Sequence, residues 1–447
     1  MTRTCIIYLL TFLSLEMVNA QKNPWTFKQC LDTALQRNIS VNQSRLTNEL
    51  NKTSLEQSKA SRIPSLSASA NEALNVGNNV DPVTYSFTTE GFHSTNFSVS
   101  SSYNLFNGLQ NANTIRQQRL NIKAGEYDVE KVKNDVTLNV TTGYLQVLFT
   151  TEILASAKKQ AEATMAQVDR TTKLVNAGKS PESDLLQIQS QLATDNLAVI
   201  TAQNQLDLAN VTLMQLMEIP ISDGFSVVAP AMDETITDIL QTNQQIYEKS
   251  LTVQPQIAGA ALKTNASEMA LKVSEGARYP RVTLGANLNS NYASSRDKGS
   301  EVNPEGNPFF KQMWSNMGQS FSMGISIPIY SNRQIKSNID RAKINLATIR
   351  LTEQNVKNVL RKSVEQTYTD AHASIKKYDA VKQQLAAVEA VYQNAEKKFS
   401  VGVMSATDFL IQKNNFAQSQ SSLIQAKYDF IFKRKILDFY QGKAITF

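Results

Sequence analysis

The chain has 447 residues, 19% of them charged, and a formal net charge of +6. Length alone would suggest two or three globular domains. The positive excess is mild and comes without a Lys/Arg block, which argues against a nucleic-acid partner. With two histidines, no glycine-rich phosphate loop and no nucleophile elbow, the sequence offers no enzyme chemistry.

The N-terminus reads as a secretory signal over 1–20. Arg3 is the positive end, Ile6–Leu15 the apolar run, and Val18-Asn19-Ala20 the small-residue cleavage site. The apolar run is too short for a membrane-spanning helix. Cleavage before Gln21 would remove Cys5 and leave Cys30 as a single thiol, with no internal disulfide. Cys30 lies on the apolar face of a short helix predicted over Trp25–Arg37, with Phe27, Leu31 and Leu35. It is expected to be buried. A second helix, roughly Val41–Arg62, stops before Pro64.

The period then changes. Leu66, Ala68 and Ala70 alternate with serines, and Phe97, Val99, Tyr103 and Leu105 alternate with Ser98, Ser100, Ser102 and Asn104. These predict a two-stranded hairpin with a long polar loop around Gly77–Gly91, and His93 is assigned to that hairpin loop. From about Gly108 to Val175 the spacing is helical, with a stripe of Val129, Val132, Val136, Val140, Tyr144 and Val147 and no proline. Such a helix is on the order of 100 Å long at ~1.5 Å per residue. Gly178 ends it, Pro181 opens the next helix, and that one runs to about Met217. Pro220–Pro230 is an irregular connector.

The second half repeats this order. A helix is expected near Asp233–Lys249 and another from Pro255 to about Ala277. Val282, Leu284, Ala286 and Leu288 then alternate with polar residues or glycine. After a long loop, Tyr292–Gln319, Phe321, Met323, Ile325, Ile327 and Ile329 do the same. Pro328 marks that strand's end or a bulge. A further long helix carries Ala371, Ile375, Tyr378, Leu385, Val388, Tyr392, Ala395 and Phe399, with His372 on it lacking a partner at metal-ligand spacing. Gly402 ends it, and a helix over about Ser405–Tyr440 follows.

The two halves are copies. Gly178 and Gly402, Asp184 and Asp408, and Phe97 and Phe321 are each separated by 224 residues. Leu185, Leu192, Val199, Leu206 and Leu213 recur every seven residues, as do Phe409, Phe416, Leu423, Phe430 and Leu437 at the same offset. Seven-residue apolar spacing is the seam of packed helices, so these phenylalanines are read as packing. The expected division is 21–230 as a first repeat, with strands about 63–75 and 93–106 and a helix hairpin about 108–217. A second repeat covers 231–447, with strands about 279–291 and 318–330 and a hairpin about 333–440.

Four strands, apolar on one face and Ser, Asn, Thr or Gly on the other, suit a bilayer-crossing sheet with water behind it. Four cannot close a barrel, and an open edge is not tolerated in lipid, so the chain oligomerises or the sheet is soluble. The long helices, rich in Ala, Gln, Asn, Ser and Thr off the seam, suit a wall wetted on both sides.

The chain resembles the TolC-like outer-membrane efflux proteins. The resemblance rests on the signal segment, the duplicated order of elements, the paired turns Gly178…Asp184-Leu185 and Gly402…Asp408-Phe409, and the opening Trp25-Thr26-Phe27…Ala34-Leu35-Gln36-Arg37-Asn38. It covers the whole mature chain. It implies a mainly α fold with a membrane β-barrel, in which three chains supply a twelve-stranded barrel continuous with a periplasmic α-helical tunnel. It also implies a passive export duct with no cofactor and no metal, set in outer-membrane lipid. A periplasmic adaptor and an inner-membrane pump of RND, ABC or MFS type would be its partners. Gly178, Lys179, Ser180, Gly402, Val403 and Ser405 would be adaptor-contacting tips, and Asp184 and Asp408 entrance charges; the other reading of both aspartates, compatible with the first, is helix capping or a first-turn charge on the helix dipole. Where relatives carry a latch Arg and a second Asp, this chain has Met404 and Ile411, so the latch is absent or rebuilt around Lys179 or Gln412. The family's Asn-Pro after the first helix is here Asn38-Ile39. The competing readings are a periplasmic adaptor or secreted coiled-coil scaffold, and a surface adhesin or filament subunit.

Overall fold

The computed structural model describes residues 24–80, 87–89, 91–230, 239, 241–294 and 307–447. The signal segment 1–20, parts of both long loops and residues 233–238 of the helix expected near Asp233–Lys249 lie outside these residues. The chain divides into two units, one of 127–258 and 355–447 with the N-terminal residues to Leu46, the other of Thr47–Glu126 and Gly259–Gln354.

The first unit is helical. Helix α1 (Phe27–Arg37) is closed by a capping box in which Thr26 and Gln29 exchange hydrogen bonds, and α2 (Ile39–Ala60) follows after one residue. The break at Asn38 needs no proline, because the Asn38 side chain accepts from the backbone N–H groups of Ser40 and Val41 and caps α2 itself. The second half has the same pair. Its α5 (Asn243–Val253) carries a Thr242/Gln245 capping box, and α6 (Pro255–Gly276) opens on the proline. Of the helix expected near Asp233–Lys249, the described part is α5, which Thr242 caps.

Two 67-residue helices dominate, α3 (Gln110–Asn176) and α8 (Gln334–Ser400). Each is followed by a 35-residue helix, α4 (Glu182–Leu216) and α9 (Ala406–Tyr440). Their shared core gathers Cys30 and Phe27 of α1, Val140 and Tyr144 of α3, Leu213 and Met217 at the end of α4, and Tyr378 and Phe430. Tyr378 stacks on Phe430 with ring centroids 5.5 Å apart, and Tyr392 stacks on Phe416 at 4.9 Å. The phenylalanine stripe is thus packing; each such burial is worth roughly 1.5–3 kcal/mol. The segment before α1 is pinned as well. Trp25 bridges Val227, and the Tyr144 hydroxyl donates to the Val228 carbonyl at 2.6 Å.

The second unit holds a four-stranded antiparallel sheet of β1 (Ser65–Asn75), β4 (Phe92–Asn107), β5 (Arg281–Ala293) and β6 (Gly318–Ser326), in the order β1-β4-β5-β6. Two-residue strands β2 (Asn79–Val80) and β3 (Phe87–Thr88) pair within the first loop. Three observations bear on the expectations; the second agrees with Pro328 as the mark of a strand end, with the strand shorter than the 318–330 expected. His93 is in β4, opposite Leu74, rather than in the loop. β6 ends at Ser326, so Ile327, Pro328 and Ile329 follow the strand, and the proline breaks no ladder bond. The second loop contains a short helix, α7 (Phe309–Ser315). The first and second unit are joined in sequence through α2, α3, α6 and α8.

Register assigns the two faces. Ala68, Val99 and Leu288 are aligned, as are Tyr103, Leu284 and Met323, and Ala286 with Phe321. The opposite face aligns Ser67 with Ser100 and Asn287, and Ser69 with Ser98 and Asn289. Serine hydroxyls meet across it, Ser67 to Ser100 at 2.8 Å and Ser69 to Ser98 at 2.9 Å. An irregularity between Asn104 and Phe106 brings Phe106, not Leu105, opposite Val282. On the apolar face Phe321 is 83% exposed and Leu66 77%, which leaves that face bare within a single chain.

Candidate functional site

The two tip turns are built alike from local chemistry. At the first, the N–H of Gly178 donates to Val175 and that of Lys179 to Leu174; at the second, Gly402 donates to Phe399 and Val403 to Lys398. This double bond is the Schellman closure of a helix, and it places Gly178 and Gly402 at φ +68° and +77°. Lys179, Val403 and Gly402 are exposed, as are Gly178 and Ser405; Ser180 and Met404 are half-buried.

Both aspartates are engaged within their own helices. The Ser180 hydroxyl donates to the Asp184 carboxylate at 2.8 Å in the first turn of α4. Ser405 caps α9, accepting from the Asp408 N–H at 3.1 Å and donating to its carboxylate at 2.7 Å. Each carboxylate also faces the positive end of its helix dipole. Both aspartates are thus first-turn charges, while the cap positions belong to Pro181 and Ser405.

Above the tips, side chains join the α3–α4 hairpin to the α8–α9 hairpin. Arg170 donates to the Ser400 carbonyl at 3.0 Å, Thr407 to Gln187 at 3.0 Å, and Asn414 to Gln191 at 3.3 Å. Between them lies a buried ion pair, Lys413 Nζ to Asp195 Oδ2 at 2.7 Å, with side chains 3% and 8% exposed. Thr164 of α3 hydrogen-bonds both partners, and Gln191 donates to the other Asp195 oxygen at 2.7 Å. Burial pulls the Lys413 ammonium below the ordinary lysine range, while Asp195 works in the opposite direction. Three helices thus meet on one charged cluster. Neither Lys179 nor Gln412, the residues expected to rebuild a latch, forms this pair.

Sequence reading missed Lys413 and Asp195, although a signal existed. Ile188, Asp195, Ala202 and Ala209 recur every seven residues and are all buried in α4. An aspartate in such a series is a polar residue at a seam position, which sets register at a cost in stability.

The histidines form no site. His93 Nδ1 lies 3.1 Å from Glu72 on the neighbouring strand, and His372 packs edge-on to Tyr368. Among the described residues there is no cluster of three or more His, Cys, Asp or Glu able to hold a metal. Cys30 is a buried free thiol, and burial pushes it up to about 12. No described helix is long and apolar enough to cross a membrane.

A family model described as outer membrane efflux protein matches residues 30–217 and 246–439, one segment in each half. This chain belongs to the outer membrane efflux protein family. The outer membrane protein TolC of Escherichia coli (strain K12) is 22% identical over 325 residues, covering 72% of this chain and 64% of TolC. The chain thus spans just under two thirds of that relative's length. The outer membrane efflux protein BepC of Brucella suis biovar 1 (strain 1330) is 21% identical, over 91% of the chain and 83% of BepC. Among solved structures, CusC superposes with a TM-score of 0.78 at 17% identity, covering 94% of this chain and 92% of that one. Its structures were described with the conformational changes accompanying folding and transmembrane channel formation. The two matched segments fall one in each half, as the duplicated order of elements does.

Proposed function

We propose that this outer-membrane efflux protein is the passive outer duct of an export assembly, a homotrimer gated at its helix-hairpin tips. One observation carries the reading. The four-stranded sheet is apolar on one face and lined with Ser, Asn, Thr and Gly on the other, and the outer edges of β1 and β6 have no strand partner among the described residues. Unpaired backbone cannot stay in lipid, so β1 of one copy pairs with β6 of the next until the barrel closes. Three copies give twelve strands, within the range of membrane barrels. Signal-directed secretion over 1–20 and the two repeats over 21–230 and 231–447 belong to the same reading.

The tips Gly178–Ser180 and Gly402–Ser405 are the surface for a periplasmic adaptor, which couples the duct to an inner-membrane pump of RND, ABC or MFS type. Asp184, Asp408, Lys179 and Met404 line the entrance. Opening moves one hairpin against the other. The Lys413–Asp195–Thr164 cluster, with Arg170 and Thr407 nearer the tip, braces the closed state. No step requires chemistry by the chain itself.

The test is to extract the protein from outer membranes, determine the number of chains per particle by light scattering, and record conductance in a planar bilayer. A trimer of low conductance that rises when Arg170→Ala and Thr407→Ala are combined supports the reading. A soluble, non-conducting monomer sinks it in favour of an adaptor or scaffold.

A further inference from the structure

The loop between β5 and β6 contains α7 (Phe309–Ser315), which is held against the apolar face of the sheet at the end far from the helices. Three ties fix it. The fully buried Gln312 amide takes both backbone groups of Ala293, accepting from its N–H and donating to its carbonyl, each at 3.1 Å. Ser290 donates to the Met313 carbonyl at 2.7 Å, and Asn316 to that of Asn291 at 2.7 Å. Phe309 packs on Phe97 and Tyr292, both aligned on the apolar face.

This anchoring turns the rest of the helix outward. Phe310 is 84% exposed and Trp314 79%; four residues apart, they share one face. Lys311 between them is exposed as well. Beneath, a groove of about 590 Å³ runs between α7 and the sheet, bounded by Ala70, Val99, Leu288, Met313, Trp314 and Met317, with no ionisable side chain on its walls.

We propose that α7 is an interfacial anchor lying outside the barrel wall and that the groove under it holds an acyl chain of an outer-leaflet lipid. The inference rests on the outer-membrane placement of the sheet. The groove is continuous with the bare apolar face that such a placement turns towards lipid. An exposed Trp/Phe pair is the residue choice of the membrane–water interface, where an indole keeps its N–H wet and its ring dry. Lys311 adds a cation at the level of lipid phosphates.

The chain has two tryptophans, so Trp25→Phe leaves Trp314 as the one reporter. The variant is reconstituted into phosphatidylcholine vesicles brominated either near the carboxyl end or near the methyl end of the acyl chain. The expected result is a loss of Trp314 emission, larger for the shallow bromines, with little loss to aqueous iodide. Quenching by iodide alone, or by neither agent, overturns the anchor. A second reporter, Phe321→Trp with both native tryptophans changed to Phe, reads mid-sheet depth. If it is quenched by bromolipid while Trp314 is not, the barrel stands and the anchor fails. If neither is quenched, the membrane placement of the sheet fails too. Gln312→Ala, which frees α7 from Ala293, is expected to weaken the shallow quenching and red-shift Trp314; an unchanged spectrum would show that the Gln312 tie does not position it.

Discussion

At the scale of single residues, the decisive feature is a charge pair placed in a seam. Lys413 and Asp195 are desolvated, and their mutual attraction is supplemented by Thr164 and Gln191. Such a pair contributes little net stability against an apolar replacement, but losing one partner is expensive. Lys413→Met is expected to cost about 3–5 kcal/mol by stranding Asp195, and Lys413→Met with Asp195→Leu to recover most of it. Chemical denaturation of the detergent-solubilised protein reads both; additive losses would mean the two do not act together. Cys30 gives a pH prediction. Its native pKa is raised to about 12 by burial, whereas an unfolded cysteine titrates near ~8.5. Below the unfolded value the thiol contributes its full stability; as pH rises from there towards the native value, that contribution falls. Native protein should resist thiol reagents at pH 9 and react once unfolded, and Cys30→Ala should flatten the alkaline loss of stability.

Elements show how far the duplication reaches. The Schellman turns at Gly178 and Gly402 match bond for bond, and the strand-to-helix junctions match in backbone conformation. Gly108 and Leu109 have φ +65° and +63°, and Asn332 and Arg333, 224 residues on, have +47° and +64°. Two consecutive left-handed residues turn the chain from strand into long helix in both halves. A side chain in that region costs roughly 1–2 kcal/mol, so Leu109→Gly and Arg333→Gly should each be neutral or stabilising by up to about 1 kcal/mol in thermal melts. The reverse holds at the tips. Gly178→Ala and Gly402→Ala meet no neighbouring atom, yet each is expected to cost about 1 kcal/mol through φ alone. A larger loss of export than of stability in either variant would mark that tip as a contact surface.

For the whole molecule, the open sheet edges and bare apolar face make the single chain incomplete in a bilayer. A charge on that face should be tolerated worst at mid-sheet. Met323→Arg is expected to cost about 2–4 kcal/mol and to reduce trimer in the outer membrane, while Ser100→Arg, on the wet face, should instead alter conductance. Blue-native electrophoresis and bilayer recording separate the two. Equal effects of both substitutions on assembly would argue that neither face meets lipid.

The sequence by itself determined the repeat, the order of the long helices and the four sheet strands, and which face of each strand is apolar. Those follow from periods of two and seven and from glycine and proline at helix ends, which are local signals. Residue ranges for the long helices and strands were legible to within a few positions for the same reason. The structure decided what depends on neighbours distant in sequence. The break at Asn38 survives without proline because a side-chain cap replaces it. α5 is capped by the Thr242 box. α7 lies in a stretch that reads as loop, because its seven residues are held by Ala293, Ser290 and Asn291 rather than by helical propensity. Lys413 and Asp195 are 218 residues apart. The seven-residue series of α4 marks Asp195 but not its partner, and only the packing of α3, α4 and α9 removes both from water and makes them one group.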